Sequence, residues 1–80
     1  MGQGKNIVHQ YFKKEIDGAT VLVRVDPIFY KGVEITLVKG ESPVVRELDF
    51  DEQIFEDLEA DEFAAGNPLE FNLYWAGLKK

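Results

Sequence analysis

The sequence predicts a small α+β domain with the element order β-β-β-β-α-β, an antiparallel β-meander followed by one amphipathic acidic helix and a C-terminal strand. Two observations carry this prediction. Apolar and polar residues alternate through most of residues 6–50, as in half-buried strands, and the period then changes to that of a helix. A chain of 80 residues can build only one hydrophobic core, so we expect one domain over residues 1–80, with residues 1–4 flexible.

The first two strands should form a hairpin. Residues 6–16 alternate imperfectly, as in a strand covered partly on both faces, and residues 21–25 alternate valine with other side chains. Asp17 and Gly18 lie between them, and both residues tolerate the positive φ that a tight hairpin turn needs. We therefore expect these two strands to be antiparallel neighbours.

Two more strands complete the predicted meander. Pro27 lacks the amide hydrogen that a sheet ladder needs, so the second strand should end at Asp26. Residues 33–38 and 44–50 both alternate apolar with polar side chains. The Gly-Glu-Ser-Pro stretch at 40–43 predicts the connection between these two strands.

An acidic helix and a last strand should follow the meander. Asp51 is placed to accept hydrogen bonds from the first free amides of the helix, and Phe50 and Phe55 have the spacing of a hydrophobic staple. The Gly-Asn-Pro stretch at 66–68 predicts the end of the helix. Beyond it the alternation returns and predicts a strand with these side chains in the core: Leu69, Phe71, Leu73 and Trp75.

The negative charge of the chain is concentrated in one stretch. Nine of the fifteen acidic residues lie between Glu47 and Glu62. Like charges four residues apart on a helix, such as Asp57 and Asp61, repel each other and reduce helix stability. The stretch favours either a docking surface for a protein with a basic surface or a solvated face that only keeps the protein soluble. The acidic face is defined here as Glu52, Glu56, Asp57, Glu59, Asp61 and Glu62.

The sequence contains no pattern typical of a catalytic, metal or cofactor site. His9 is the only histidine, there is no cysteine, and Thr20 and Thr36 lack an activating motif, so we do not expect an enzyme. The stretch from Asp49 begins like a calcium-binding loop, but Ile54 stands where that loop requires glycine. We therefore expect neither a bound metal nor a cofactor.

The composition also limits the partners. The basic residues of the first half are balanced by acidic ones, so direct nucleic-acid binding is not expected, and no apolar segment suggests a membrane partner. The lack of cysteine predicts a cytoplasmic protein. A hypothetical aromatic patch of Phe29, Tyr30 and Tyr74 offers a second surface, and a small sheet with open edges favours a homodimer.

The sequence thus predicts a small non-catalytic protein-interaction module whose acidic face is the docking surface. Two alternatives stay open. A pocket between helix and sheet, using His9, Tyr11, Arg24 or Tyr30, would indicate a small-ligand-binding protein or an enzyme. Carboxylates spaced like phosphates would indicate an acidic mimic of nucleic acid that occupies a basic protein.

Overall fold

The computed structural model describes residues 8–78, with the side chains of residues 8–76. These residues form a single small α+β domain, which confirms the predicted fold class. The expectation that residues 1–4 are flexible concerns residues outside the described part of the chain.

The centre of the fold is an antiparallel sheet. Its strands are β1 (Gln10–Ile16), β2 (Ala19–Val25), β3 (Lys31–Val38), β4 (Val44–Asp49) and β5 (Ala64–Ala65). The first four form the predicted meander, in which each strand pairs with the next along the chain. The short β5 pairs with the outer side of β1, so the order across the sheet is β4-β3-β2-β1-β5.

The turns between the strands follow from local chemistry. Asp17 and Gly18 form the predicted two-residue turn between β1 and β2, with φ of 44° and 84°. The next loop is tighter than expected, because the amide of Tyr30 donates to the carbonyl of Asp26 at 2.8 Å and the amide of Asp26 donates to the carbonyl of Lys31 at 2.8 Å. As a result β3 already begins at Lys31, two residues before the predicted start of this strand.

The first helix, α1 (Ile54–Ala60), is shorter than predicted at both ends. Asp51 lies in the turn before it, where its Oδ1 accepts a hydrogen bond from the amide of Gln53 at 2.9 Å. The N-cap is Gln53, whose side chain makes no capping hydrogen bond, so the prediction that Asp51 is the N-cap is wrong. The carbonyl of Asp51 still accepts from the amide of Ile54 at 3.0 Å.

The helix ends well before Gly66, where the sequence predicted its end. Glu62 adopts a left-handed φ of 66°. The amide of Phe63 donates to the carbonyl of Leu58 and the amide of Glu62 donates to the carbonyl of Glu59, each at 3.0 Å. This pair of bonds is a Schellman motif, and it ends the helix with a glutamate at the position where glycine is usual.

The C-terminal segment is a second helix, α2 (Pro68–Leu78), so the predicted C-terminal strand is wrong. The Oδ1 of Asn67 accepts hydrogen bonds from the amides of Leu69 at 2.8 Å and Glu70 at 3.3 Å. Asn67 is therefore an N-cap, and Pro68 occupies the first helical position, where its missing amide hydrogen is not needed. Neither helix in the described part of the chain is long and apolar enough to cross a membrane.

The two helices cover opposite faces of the sheet, whereas the sequence predicted one covered face. On the α1 face, Ile54 and Leu58 pack against Val23 and Val25. The α2 face has a core of its own, formed by Leu22, Val33, Ile35 and Phe71, with Tyr11, Leu37, Val45 and Trp75 packed around it. Each face thus buries alternate residues of β2, which explains why this strand is almost continuously apolar.

Candidate functional site

The acidic face lies on the outside of α1 and the turns that flank it. All six of its residues are exposed, but they do not share one helix. Glu52 precedes α1, Asp61 is its C-cap and Glu62 follows it. The face is therefore a short ridge around a helix of seven residues, about 10 Å long at the usual rise per residue.

The carboxylates of this ridge make no ion pair with any described basic side chain. Lys14 comes closest, but its Nζ donates to the backbone carbonyl of Asp61 and lies 5.7 Å from the centre of the Phe63 ring. Glu56 accepts a hydrogen bond from the neutral side chain of Gln53. None of the ridge carboxylates therefore has an ion-pair partner in the part of the chain that the structure describes.

Some of the described charges outside this ridge are paired. The ion pairs join Lys13 to Glu70 (3.2 Å) and to Glu15 (3.8 Å), Lys31 to Asp49 (2.9 Å) and Arg46 to Glu34 (3.4 Å). Three of these pairs link neighbouring elements, since they join β1 to α2 and β3 to β4. The described basic side chains are therefore mostly engaged away from the acidic face.

The hypothetical aromatic patch is not assembled. Tyr30 packs on the α1 side, with its ring 6.4 Å from the ring of Phe55. Tyr74 lies on α2, whose neighbouring residues Phe71 and Trp75 pack on the opposite side of the sheet. Phe29 is 66% exposed in the loop between β2 and β3. Tyr30 and Tyr74 therefore cannot contribute to one surface.

A cleft of about 500 Å³ lies on the α2 face, beyond the part of the sheet that α2 covers. The strand register explains its composition. Tyr11 pairs with Arg24, Arg24 with Val33 and Val33 with Glu47, so these four residues form one row across the sheet. The next row, nearer the sheet end, includes Lys31 opposite Asp49. The residues that line the cleft are His9, Arg24, Asp26, Lys31, Gly32, Val33, Glu47, Leu48, Asp49 and Trp75.

Arg24 is held firmly at one side of this cleft. Its guanidinium carbon lies 5.5 Å from the centre of the Phe71 ring and 5.4 Å from that of Trp75. These distances are within the range of cation–π contacts, which leave N–H groups of a guanidinium able to donate hydrogen bonds. No described carboxylate lies within the 4.0 Å of an ion pair with Arg24, although three carboxylates line the same cleft.

Two of those carboxylates are engaged elsewhere. Asp49 pairs with Lys31, and its hydrogen bond is the main cause that raises the pKa of Lys31 above its usual value. The Oδ1 of Asp26 accepts hydrogen bonds from the amides of Ile28 at 2.7 Å and Phe29 at 3.2 Å. The bond from Ile28 is the main cause that lowers the pKa of Asp26.

The imidazole of His9 borders the same cleft. Partial burial, followed by the positive charge of Arg24, lowers the pKa of His9 below its usual 6.5, and Asp26 opposes this shift. The ring is therefore mostly neutral at pH 7. Of the residues named for a pocket from the sequence, His9 and Arg24 line the cleft, whereas Tyr11 packs against Phe71 with ring centres 5.6 Å apart.

Sequence reasoning missed the other residues of the cleft. Trp75 was expected in the core of a strand, and Asp26, Lys31 and Glu47 were treated as turn or strand residues. The signal that could have found them is the hairpin register, which places side chains of consecutive strands in rows on one face. Within residues 8–78, no group of histidine and acidic side chains is arranged to hold a metal ion.

Comparison with known proteins adds no assignment. No protein-family model, no curated protein and no solved structure matches this chain.

Proposed function

We propose that this protein is a small non-catalytic interaction module that docks a basic surface of a partner protein through its acidic face. The observation that carries the proposal is the ridge of exposed carboxylates around α1, none of which has an ion-pair partner among the described side chains. A concentrated charge of one sign speeds encounter with a partner of opposite charge and rejects other partners.

The conformation of Glu62 supports this proposal. Its left-handed φ of 66° is unfavourable for any residue with a Cβ, and a glycine would remove that cost. Like-charge neighbours add to the cost, since Asp57 and Asp61 lie four residues apart and Asp61 is at the negative, C-terminal end of α1. Glu62, Asp57 and Asp61 thus lower the stability of the fold. We expect such a cost where a surface serves binding.

The dimensions of the ridge favour a protein partner over nucleic-acid mimicry. A mimic needs negative charges spread along an extended surface, in steps that follow a phosphate backbone. Here the charges surround a helix of seven residues and its two flanking turns. This area suits a compact basic patch on a partner. The lack of cysteine supports a cytoplasmic setting for the interaction.

A homodimer is proposed on a separate observation. Leu69 and Leu73 lie four residues apart on α2 and are 80% and 72% exposed, so α2 presents an apolar strip outward. Because α1 lies on the other face of the sheet, two copies joined through α2 keep their acidic faces apart. Sedimentation velocity should show a concentration-dependent dimer that Leu73→Glu abolishes; a wild type that stays monomeric at high concentration contradicts it.

The acidic face is tested with two variants of equal charge change. The face variant carries Asp57→Asn, Glu59→Gln and Asp61→Asn, which leaves the hydrogen bond between Gln53 and Glu56 in place. The control variant carries Glu15→Gln, Asp17→Asn and Glu41→Gln, all exposed and outside the face. Circular dichroism and unfolding curves verify that both variants fold.

Each protein is immobilised and used to capture partners from host lysate, and the captured partner is then purified and titrated by calorimetry at about 150 mM salt. We expect the wild type and the control variant to bind alike. The face variant should bind at least about tenfold more weakly, and the affinity of the wild type should fall as salt rises. Equal affinity for the face and control variants would show that the acidic face is only a solvated surface.

A further inference from the structure

The α2 face carries a second site that is independent of the acidic face. We infer that the cleft binds a small zwitterion of the amino-acid class, with its carboxylate on Arg24 and its ammonium group on Glu47. The two sites lie on opposite faces of the sheet, so this inference does not depend on the proposed docking function.

Arg24 is suited to bind a carboxylate from outside. Cation–π contacts with Phe71 and Trp75 place its guanidinium at one side of the cleft, and the planar guanidinium fork can bind a carboxylate in a bidentate pair. No described carboxylate forms an ion pair with Arg24: Asp49 pairs with Lys31, and Asp26 accepts its hydrogen bonds from backbone amides. The pKa of Asp26 is lowered chiefly by a hydrogen bond from a backbone amide, and the charge of Arg24 helps to lower it. A bound carboxylate would supply the missing partner.

Glu47 provides the opposite charge at a suitable distance. It is exposed, lines the cleft and makes no ion pair with a described basic side chain. The register places it in the same row as Arg24, two strands away, which corresponds to about 10 Å between the two backbones. Buried Val33 lies between them, so the floor under the middle of the ligand is apolar.

The total charge of the lining disfavours a strongly anionic ligand. Arg24 and Lys31 face three carboxylates, and His9 is mostly neutral at pH 7 because its pKa is lowered. A doubly charged phosphate would meet a net negative cleft, whereas a zwitterion adds no net charge. The cleft volume of about 500 Å³ lies within the range of small-molecule sites, which is about 300 to 1,000 Å³.

Trp75 provides a direct readout, because it is the only tryptophan and it lines the cleft. The probe is ε-aminocaproate, whose carboxylate and ammonium groups are separated by a flexible alkyl chain. Caproate, which lacks the ammonium group, and hexylamine, which lacks the carboxylate, are the matched probes. Each is titrated into the 80-residue protein at pH 7 while the tryptophan emission is recorded.

We expect ε-aminocaproate to change the tryptophan emission of the wild type in a saturable way, with a dissociation constant of about 1 mM. It should bind at least about tenfold more tightly than caproate or hexylamine. Arg24→Gln should weaken binding of ε-aminocaproate at least about tenfold, and Arg24→Lys should recover only part of it because the fork is lost. Glu47→Gln should abolish the preference for ε-aminocaproate over caproate, and caproate itself should bind this variant no more weakly than it binds the wild type.

Arg46→Gln is the matched control, since Arg46 lies on β4 but pairs with Glu34 on the α1 face. Arg46→Gln should bind ε-aminocaproate like the wild type. The face variant, which carries Asp57→Asn, Glu59→Gln and Asp61→Asn, should do the same. Absence of saturable binding by the wild type, or unchanged binding by Glu47→Gln, would overturn the inference. Because Glu47 is exposed, the Glu47→Gln variant should fold, and it tests the site even if Arg24→Gln does not fold.

Discussion

Gly32 is the position where the sheet leaves least room for a side chain. A Cβ at this residue would lie 2.1 Å from Cε2 of Phe50 and 2.9 Å from the carbonyl oxygen of Arg24. The ring of Phe50 therefore packs directly over the backbone of β3, within the core of the α1 face. The alternation of apolar and polar residues in β3 does not reveal this contact, because Phe50 lies in the segment after β4.

Gly32→Ala should lower the free energy of unfolding by about 1 to 3 kcal/mol, because the ring of Phe50 has to move out of a packed core. The measurement is urea unfolding followed by circular dichroism. The loss should be smaller in a Phe50→Leu background, since the shorter side chain relieves the overlap, and this coupling is read from a double-mutant cycle. Additive effects of the two substitutions would contradict the predicted contact.

Asp26 makes stability depend on pH in a definite direction. Its native pKa lies below 3.8, chiefly because the carboxylate accepts the hydrogen bond from the amide of Ile28. A depressed native pKa means that the unfolded chain binds the proton more readily. The stabilisation is therefore complete above pH 3.8 and is lost as the pH falls through the lower native pKa.

Asp26→Asn should reduce the difference in stability between pH 7 and pH 3, because asparagine does not titrate. Urea unfolding of both proteins at several pH values measures this difference. A proton titration of Asp26 followed by NMR gives the native pKa directly. A native pKa at or above 3.8, or an unchanged pH dependence in the variant, would contradict this role.

At the scale of elements, the C-terminal end of α1 was predicted wrongly from the sequence. Glycine is the common residue at the left-handed position, so Gly66 was the expected end of the helix. The chain instead uses Glu62, because burial of Phe63 beside Leu58 closes the Schellman motif earlier. The packing of Leu58 and Phe63 in the core of the α1 face, with Val23 and Val25 of β2, thus outweighs the preference for glycine.

Glu62→Gly should raise the free energy of unfolding by about 1 kcal/mol, because glycine adopts positive φ without the steric cost of a Cβ. Glu59→Gly, within α1, is the control and should be destabilising by about the same amount, since glycine weakens a helix interior. Thermal and urea unfolding measure both effects. A destabilised Glu62→Gly variant would mean that the carboxylate makes a contact that outweighs the strain.

The C-terminal element was wrongly predicted as a strand for an identifiable reason. Residues 69–75 alternate apolar and polar side chains, yet Phe71 and Trp75 are also spaced as neighbours on one helix face. The start signal was present: Asn67 is followed at once by Pro68 and, three residues later, by Glu70. Capping chemistry was therefore a better guide here than periodicity over so short a segment.

At the scale of the whole molecule, stability depends on two small cores separated by one sheet. Phe71 is 1% exposed in the core of the α2 face, whereas Leu73 on the same helix is 72% exposed. A strand would have put both side chains on one face, so these two residues distinguish the helix from the predicted strand. The difference in burial between Phe71 and Leu73 can be measured as a difference in the stability lost when each side chain is truncated.

Phe71→Ala should cost about 3 to 5 kcal/mol, which is a large part of the stability expected of a domain of this size. Leu73→Ala should change stability by no more than about 0.5 kcal/mol at low protein concentration. Urea unfolding monitored by circular dichroism tests both. Equal losses would indicate that both side chains are buried, as a strand requires, and would contradict α2.

The sequence by itself determined the α+β class, the meander and its first turn, because alternation and turn residues act over a few neighbouring positions. It also located the acidic stretch, since charge density is visible in one dimension. Only the tertiary structure decided that α1 and α2 cover opposite faces, that Tyr30 and Tyr74 are separated, and that Arg24 and Glu47 share a cleft. These relations depend on strand register and on which side of the sheet each helix packs, and both are set by contacts between residues far apart in the chain.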